Sequence, residues 1–259
     1  MSLAAGIRRN WFDFLSAIQF LTRIPVPSQP FETDALPRAV RFFPLVGLLI
    51  GGSAALLHLL LVLHLTRPVT AILVVVWLVL ITGCLHEDGL ADTADGFGGG
   101  WNREQILLIL RDSRIGSYGA AALIMSLLAR VFLISSLPLA HVAQYLIAAH
   151  VLCLWTTLPL SYFLPSARVP RDEQSDGQGA RIARLTTRGT LAAGTVFSFA
   201  IAAAMLRRQA VLPILGACAV TLCSALYYKR RIGGVTGDCF GATNQLTEIA
   251  VYLCGAWVA

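Results

Sequence analysis

The chain has 259 residues, of which 56% are hydrophobic and only 13% charged, with a mean hydropathy of +0.71. A soluble domain carries about 25% charged residues. Half that share cannot coat a water-facing surface, so a soluble globule, a disordered chain and a disulfide-stapled secreted fold are excluded. The net charge of +6 comes almost wholly from arginine, Lys229 being the one lysine. In a membrane protein this balance speaks for orientation rather than for a nucleic-acid partner, and none is expected.

The elements follow in chain order. Residues 1–24 lack the clean apolar core and cleavage site of a signal peptide. Instead Trp11, Phe14, Leu15, Ile18 and Leu21 fall on one helical face and Asp13, Ser16 and Gln19 on the other, which predicts an interfacial amphipathic helix over 10–24. A bilayer core needs roughly 20 apolar residues per crossing, and six runs qualify: 43–65, 69–85, 118–139, 141–164, 190–206 and 210–228. A shorter seventh occupies 246–259. The second run is short, so its helix is expected to continue into the polar motif that follows. The fold class is therefore all-α: one polytopic membrane domain over 1–259, with six or seven transmembrane helices.

The basic residues give the orientation. Segments 1–42, 86–117, 165–189 and 229–245 hold 16 of the 20 Lys and Arg, whereas 66–68, 140 and 207–209 hold 3. By the positive-inside rule the first set, and the N-terminus with it, is cytoplasmic. With seven crossings the C-terminus is outside. The six cysteines show no metal spacing, and no internal repeat of the transporter kind is present.

Chemistry concentrates in 86–117. Six of the 14 acids lie between 87 and 112. Asp88, Asp92 and Asp95, at i, i+4 and i+7, put three carboxylates on one helical face. No Lys or Arg relieves them from 86 to 102. Such a set calls for a cation, and oxygen-only ligands favour Mg²⁺, with Mn²⁺ as the substitute. Gly96, Gly98, Gly99 and Gly100 follow as a loop whose backbone can approach a phosphate, or as a plain connector. Arg111 and Arg114, at i and i+3, offer an anion clamp, or simply anchor the segment on the positive side. Together these features suggest a diphosphate substrate at a cytoplasmic membrane edge. Asp95, next to the glycines, is the favoured general base over His86, with Asp238 or no base at all as the remaining alternatives.

A second polar island spans 229–248. Asp238 is the one acid of its Gly-rich part, and Asn244 and Glu248 stand at i and i+4 where the last run begins. The charge tally puts it on the side of the first island, facing it. Arg130 lies within a span and must face the bundle interior or a cavity. Arg181, Arg184 and Arg188 form a basic face that lipid headgroups or topology explain as well as substrate does. His58, His64, His141 and His150 read as structural.

At these residues the chain resembles the cobalamin synthase (adenosylcobinamide-GDP ribazoletransferase) family. The resemblance rests on Phe20-Leu-Thr-Arg-Ile-Pro-Val-Pro27, Phe43-Pro-Leu-Val-Gly47, His86-Glu-Asp-Gly-Leu-Ala-Asp-Thr-Ala-Asp-Gly96, Arg111-Asp-Ser-Arg-Ile-Gly116 and Gly233-Gly-Val-Thr-Gly-Asp238. It covers nearly the whole chain, with no departure at the carboxylates. It implies a Mg²⁺-dependent enzyme of the prokaryotic cytoplasmic membrane. The hydroxyl of α-ribazole, or of its 5′-phosphate, attacks the cobinamide-side phosphorus of adenosylcobinamide-GDP, and GMP leaves. The product is adenosylcobalamin or its 5′-phosphate, late in cobalamin synthesis. The resemblance also adds Glu87 to the metal set, and Asp112 and Thr236 to the substrate-binding set of Gly98, Gly99, Arg111, Arg114, Asp238, Asn244 and Glu248. A homo-oligomer is compatible with it.

Other readings remain at this point. The acidic motif is distantly like that of the CDP-alcohol phosphotransferases. An intramembrane prenyltransferase also uses Mg²⁺ and Asp-rich motifs, although typically two of similar weight. An ion-coupled secondary transporter needs acids near the midplane of its spans, where this chain has almost none.

Overall fold

The structure is a computed structural model that describes residues 3–27, 35–168 and 186–257. Among the described residues it is helical throughout, apart from a single parallel bridge between Ser166 and Val235. The helices are α1 (Leu3–Leu21), α2 (Ala35–Ala39), α3 (Phe43–Leu61), α4 (Arg67–Thr82), α5 (Leu85–Gly99), α6 (Arg103–Ile109), α7 (Ser117–Ser136), α8 (Val142–Trp155), α9 (Thr157–Phe163), α10 (Arg188–Leu206), α11 (Val211–Ile232) and α12 (Gly237–Trp257).

Among the described residues four helical stretches are long and apolar enough to cross a membrane: Ala35–Leu61, Ser117–Ser136, Leu139–Phe163 and Arg188–Ile232. The bent pair α4–α5 passes the same test only when its two helices are taken together. The stretch Arg188–Ile232 runs for 45 residues, about twice what one crossing needs. It is broken at Arg207, whose φ is +52°, so α10 and α11 are read as two passes. The last helix begins at Gly237, well before the apolar run that announces it, because its first turns are polar residues buried among neighbours.

α8 is the central helix, buried along nearly its whole length. α3 packs closest to it, through Gly47 and Gly51. A Cβ on Gly47 would stand 2.3 Å from the His150 carbonyl oxygen, and one on Gly51 2.7 Å from that of Leu146. Small residues at this spacing let two membrane helices approach backbone to backbone.

Two expectations are corrected here. α4 does not continue into the acidic motif. Gly83 and Cys84 both take left-handed conformations (φ +63° and +62°), and α5 leaves the α4 axis by 88°. α5 is therefore a separate, polar helix, and its acids stand off the apolar run of α4. The faces of the N-terminal helix also differ from those expected. Leu15, Ile18 and Leu21 are buried in the protein core, and Asp13, expected on the water face, is wholly buried. Arg38 and Arg41 hold its carboxylate at 3.0 and 2.6 Å, which makes burial of the charge tolerable.

The segments that the charge tally puts on one side meet in space. Arg103 of α6 donates to the carbonyls of Ile232 and Ala167, Arg231 to those of Phe97 and Gly100, and Arg168 to that of Leu110. On the opposite set, Arg67 donates to the Leu137 carbonyl. All six cysteines are free.

Candidate active site

The site is built where α5 crosses α12. A Cβ on Gly89 would lie 2.9 Å from the Asp238 carbonyl oxygen and 3.1 Å from the Gly241 α-carbon. Gly89 leaves no room for a side chain here, and Gly241 faces it across an equally bare stretch of backbone. This contact sets the first polar island against the second and brings Asp88 and Asp92 to Asp238. Beside the crossing lies a cavity of about 170 Å³, whose wall includes His86 and Asp88 of α5, Asp238 and Asn244 of α12, and Phe20 and Phe43.

Asp88 is exposed, and Asp92 and Asp238 are half-buried. Burial first, and then the carboxylates of Asp88, Asp238 and Asp95, push Asp92 up to about 7, against the pull of Arg168. Arg168 was missed from the sequence, where it counts only as one of the topology arginines of 165–189. The bridge that pairs Ser166 with Val235 carries it in: Ala167 N–H donates to Val235 O and Val235 N–H to Pro165 O, each at 2.9 Å. Its guanidinium then donates to Asp238 Oδ2 at 3.2 Å, and Thr236 Oγ1 donates to the same oxygen at 3.1 Å.

Other expected site residues have different surroundings. Glu87, one residue from Asp88 and about 100° round the helix, points into the bundle, where Arg130 Nη2 meets its Oε1 at 2.8 Å. It thus faces Arg130, whereas Asp88 faces the cavity. Asp95 accepts from Gly116 N–H at 2.7 Å and Gly119 N–H at 2.8 Å. It therefore caps the start of α7, whose first N–H groups have no partners within the helix. With both oxygens so engaged it is poorly free to act as the base. Gly98 and Gly99 are not in a loop, because α5 runs through Gly99. In a last helical turn the N–H groups are spent and only carbonyls are free, so no phosphate cradle forms there. Gly98 instead lies against the Tyr118 ring, and Gly96 against Leu110.

His86 is buried at the cavity wall. Asn244 is buried too, its amide nitrogen directed to the carbonyls of Cys153 and Phe240 and to Thr156 Oγ1, at 2.7, 3.2 and 2.9 Å. Glu248 joins Arg130 at 3.5 Å, inside the bundle and away from the open carboxylates. Arg111 and Arg114 are exposed on the loop before α7. Arg114 pairs with Asp112 at 2.7 Å and holds the Asp112 carboxyl down to about 2. That loop reaches the site through Asp95. Arg188 opens α10 and donates to the Tyr162 hydroxyl. Arg181 and Arg184 lie outside the described residues.

Among the described residues no three His, Cys, Asp or Glu side chains converge as a ready-made metal cage. Mg²⁺ does not require one, since it usually takes one or two carboxylates and leaves its other positions to water and phosphate. Crowded oxygen donors that raise one another's proton affinity suit such an ion.

Residues 13–256 match the family described as Cobalamin-5-phosphate synthase. The chain belongs to this family. It is 41% identical over 254 residues to the adenosylcobinamide-GDP ribazoletransferase of Sinorhizobium medicae (strain WSM419), covering 95% of this chain and 96% of the relative. It is 39% identical over 246 residues to the protein of the same name from Shewanella piezotolerans, covering 93% of each. A third of that name, from Vibrio cholerae O395, is 37% identical over 264 residues, with 97% and 95% covered. No solved structure matches the chain. Family membership makes it a transferase of cobalamin synthesis, and its apolar helices make it a multi-pass membrane protein.

Proposed function

We propose that this chain transfers the cobinamide phosphate of adenosylcobinamide-GDP to α-ribazole or its 5′-phosphate, at the cluster of Asp88, Asp92 and Asp238. The observation that supports the reading is the convergence of these carboxylates across the Gly89–Gly241 contact, with Arg168 beside them. Asp88 and Asp238 flank the cavity and would hold Mg²⁺, or Mn²⁺ in its place. When bound, the ion neutralises diphosphate charge and stabilises the leaving phosphate.

The residues do the rest. The ribazole hydroxyl oxygen forms a bond to the cobinamide-side phosphorus, and the bond from that phosphorus to the bridging oxygen breaks. GMP departs with the bonding pair. The hydroxyl proton passes to Asp92, whose proton affinity already lies near neutrality. Arg168 offers the leaving phosphate a fixed positive charge without needing a proton. The site faces the cytoplasm, because the segments that build it carry the excess of Lys and Arg, and the membrane is the cytoplasmic membrane of a prokaryote.

The test is GMP release by membranes holding the protein. Release from adenosylcobinamide-GDP should require both α-ribazole and Mg²⁺. Diphosphate release from an isoprenoid substrate, or no turnover of the corrinoid, would overturn the proposal.

A further inference from the structure

Among the described residues Arg130 is the largest fully buried side chain that carries a charge, with a side-chain exposure of 1%. It stands on α7 and grips two other helices: Glu87 of α5 at 2.8 Å and Glu248 of α12 at 3.5 Å. Ser126, one turn before it on α7, donates to Gln245 Oε1 at 2.9 Å. Gln245 in turn donates through Nε2 to Glu87 Oε1 at 3.2 Å. His150 of α8 closes the cluster, with Nε2 3.8 Å from Glu248 Oε1. None of these side chains has a part in the chemistry assigned above.

We propose that Arg130 is a positioning residue for the cation-holding carboxylates, acting through Glu87 and Glu248; this rests on the metal reading of Asp88 and Asp238. The geometry gives the reason. The α5–α12 crossing is a glycine-on-glycine contact, and a contact without side chains has nothing to interdigitate. It permits closeness but does not fix slide or rotation. Asp88 and Asp238 lie on one side of this contact, and Glu87, Gln245 and Glu248 on the other. A slide of one residue moves a helix by about 1.5 Å, whereas Mg²⁺ holds its ligands to near-ideal octahedral geometry. Fixing Glu87 to Glu248 through one guanidinium therefore fixes Asp88 against Asp238. Buried ion pairs often add little net stability over apolar packing, so register is a better account of this cluster than stability.

The experiment uses the full chain in detergent and reads Mn²⁺ binding by the paramagnetic resonance signal of the free ion, alongside turnover against Mg²⁺ concentration. Glu87→Gln and Arg130→Lys should each weaken Mn²⁺ binding by about tenfold, the scale seen for partners that orient metal ligands. Half-maximal turnover should move to higher Mg²⁺ by a similar factor, with the maximal rate largely recovered at saturation. Ser126→Ala, the mildest change, should give a smaller shift in the same direction and keeps the test open should Arg130→Lys fail to fold. Leu146→Ala, in the wholly buried part of α8, should lower the unfolding temperature and leave Mn²⁺ binding unchanged. Folded Glu87→Gln and Ser126→Ala proteins with wild-type Mn²⁺ affinity would overturn the positioning role alone. A wild-type chain that binds no Mn²⁺ would overturn the metal reading and this proposal together.

Discussion

Gly241 of α12 touches Gly89 of α5 so closely that a Cβ on Gly241 would lie 3.2 Å from the Gly89 α-carbon. A Cβ on Gly89 would lie 2.9 Å from the Asp238 carbonyl oxygen, which leaves no room for a side chain, because the neighbours are backbone and cannot rotate away. Gly89→Val should therefore force the helices apart and separate Asp88 and Asp92 from Asp238. Overpacking of this kind costs about 1–3 kcal/mol, so the protein should still fold, with a lowered unfolding temperature and a loss of turnover out of proportion to it. Gly52, with open space around its α-carbon, is the control: Gly52→Ala should leave turnover and metal requirement unchanged.

The acids of α5 should separate by metal dependence. Asp88→Asn and Asp238→Asn should raise the Mg²⁺ needed for half-maximal turnover. Asp95→Asn should leave that concentration near the wild-type value and instead lower the unfolding temperature, because it weakens the cap of α7 by about 1 kcal/mol. If high Mg²⁺ rescues Asp95→Asn, Asp95 is a ligand and its capping bonds to Gly116 and Gly119 give way when the ion binds.

The orientation has a direct check. In a cysteine-free background, Trp101→Cys, at a 91% exposed position, should react with an impermeant thiol reagent only in inverted vesicles. Arg208→Cys should react only in intact cells. Labelling of position 101 from outside would reverse the topology and the side assigned to the site.

Much of this was legible in the residues. Alternation of apolar runs with basic segments gave the helices and grouped the loops that later meet through Arg103 and Arg231. The i, i+4, i+7 spacing put Asp88 and Asp92 on one face. What the spacing could not show was the third helix in each contact. Glu87 and Asp88 look alike in the sequence, and only the approach of α7 with Arg130 sends one inward and leaves the other open. The glycines of 96–99 look like a loop by composition, but they continue α5, with Leu110, Tyr118 and Ile109 lying where their side chains would be. Arg168 was hidden because a short bridge to Val235, not a periodic pattern, carries it to Asp238.

Arg168 makes two opposed demands on the site, and its removal should separate them. Its charge competes with a metal ion for the field of Asp238, and it offers the substrate phosphate a fixed cation. Arg168→Gln should bind Mn²⁺ more tightly than wild type and turn over more slowly at saturating substrate. Equal losses in metal binding and rate would mean that Arg168 serves only to hold the 165–167 segment in place.

Asp92 carries a pH prediction whose sign follows from its surroundings. Burial and the neighbouring carboxylates raise it to about 7 from an ordinary 3.8, so the folded protein keeps this proton to higher pH than the unfolded chain does. Without metal, the unfolding temperature should fall as pH rises from about 4 to about 7, where the folded state gives up that advantage. Added Mg²⁺ should remove this slope, because the ion favours the ionised form. The acceptor role needs the ionised carboxylate, so kcat at low Mg²⁺ should drop as pH falls through about 7, and the limb should move to lower pH as Mg²⁺ rises. In Asp92→Asn both the stability slope and the acid limb should be absent, and kcat should be low at every pH. A limb that survives this substitution belongs to another group. A limb that vanishes while the stability slope remains would show that Asp92 accepts the proton but is not the carboxyl that titrates in the unliganded protein.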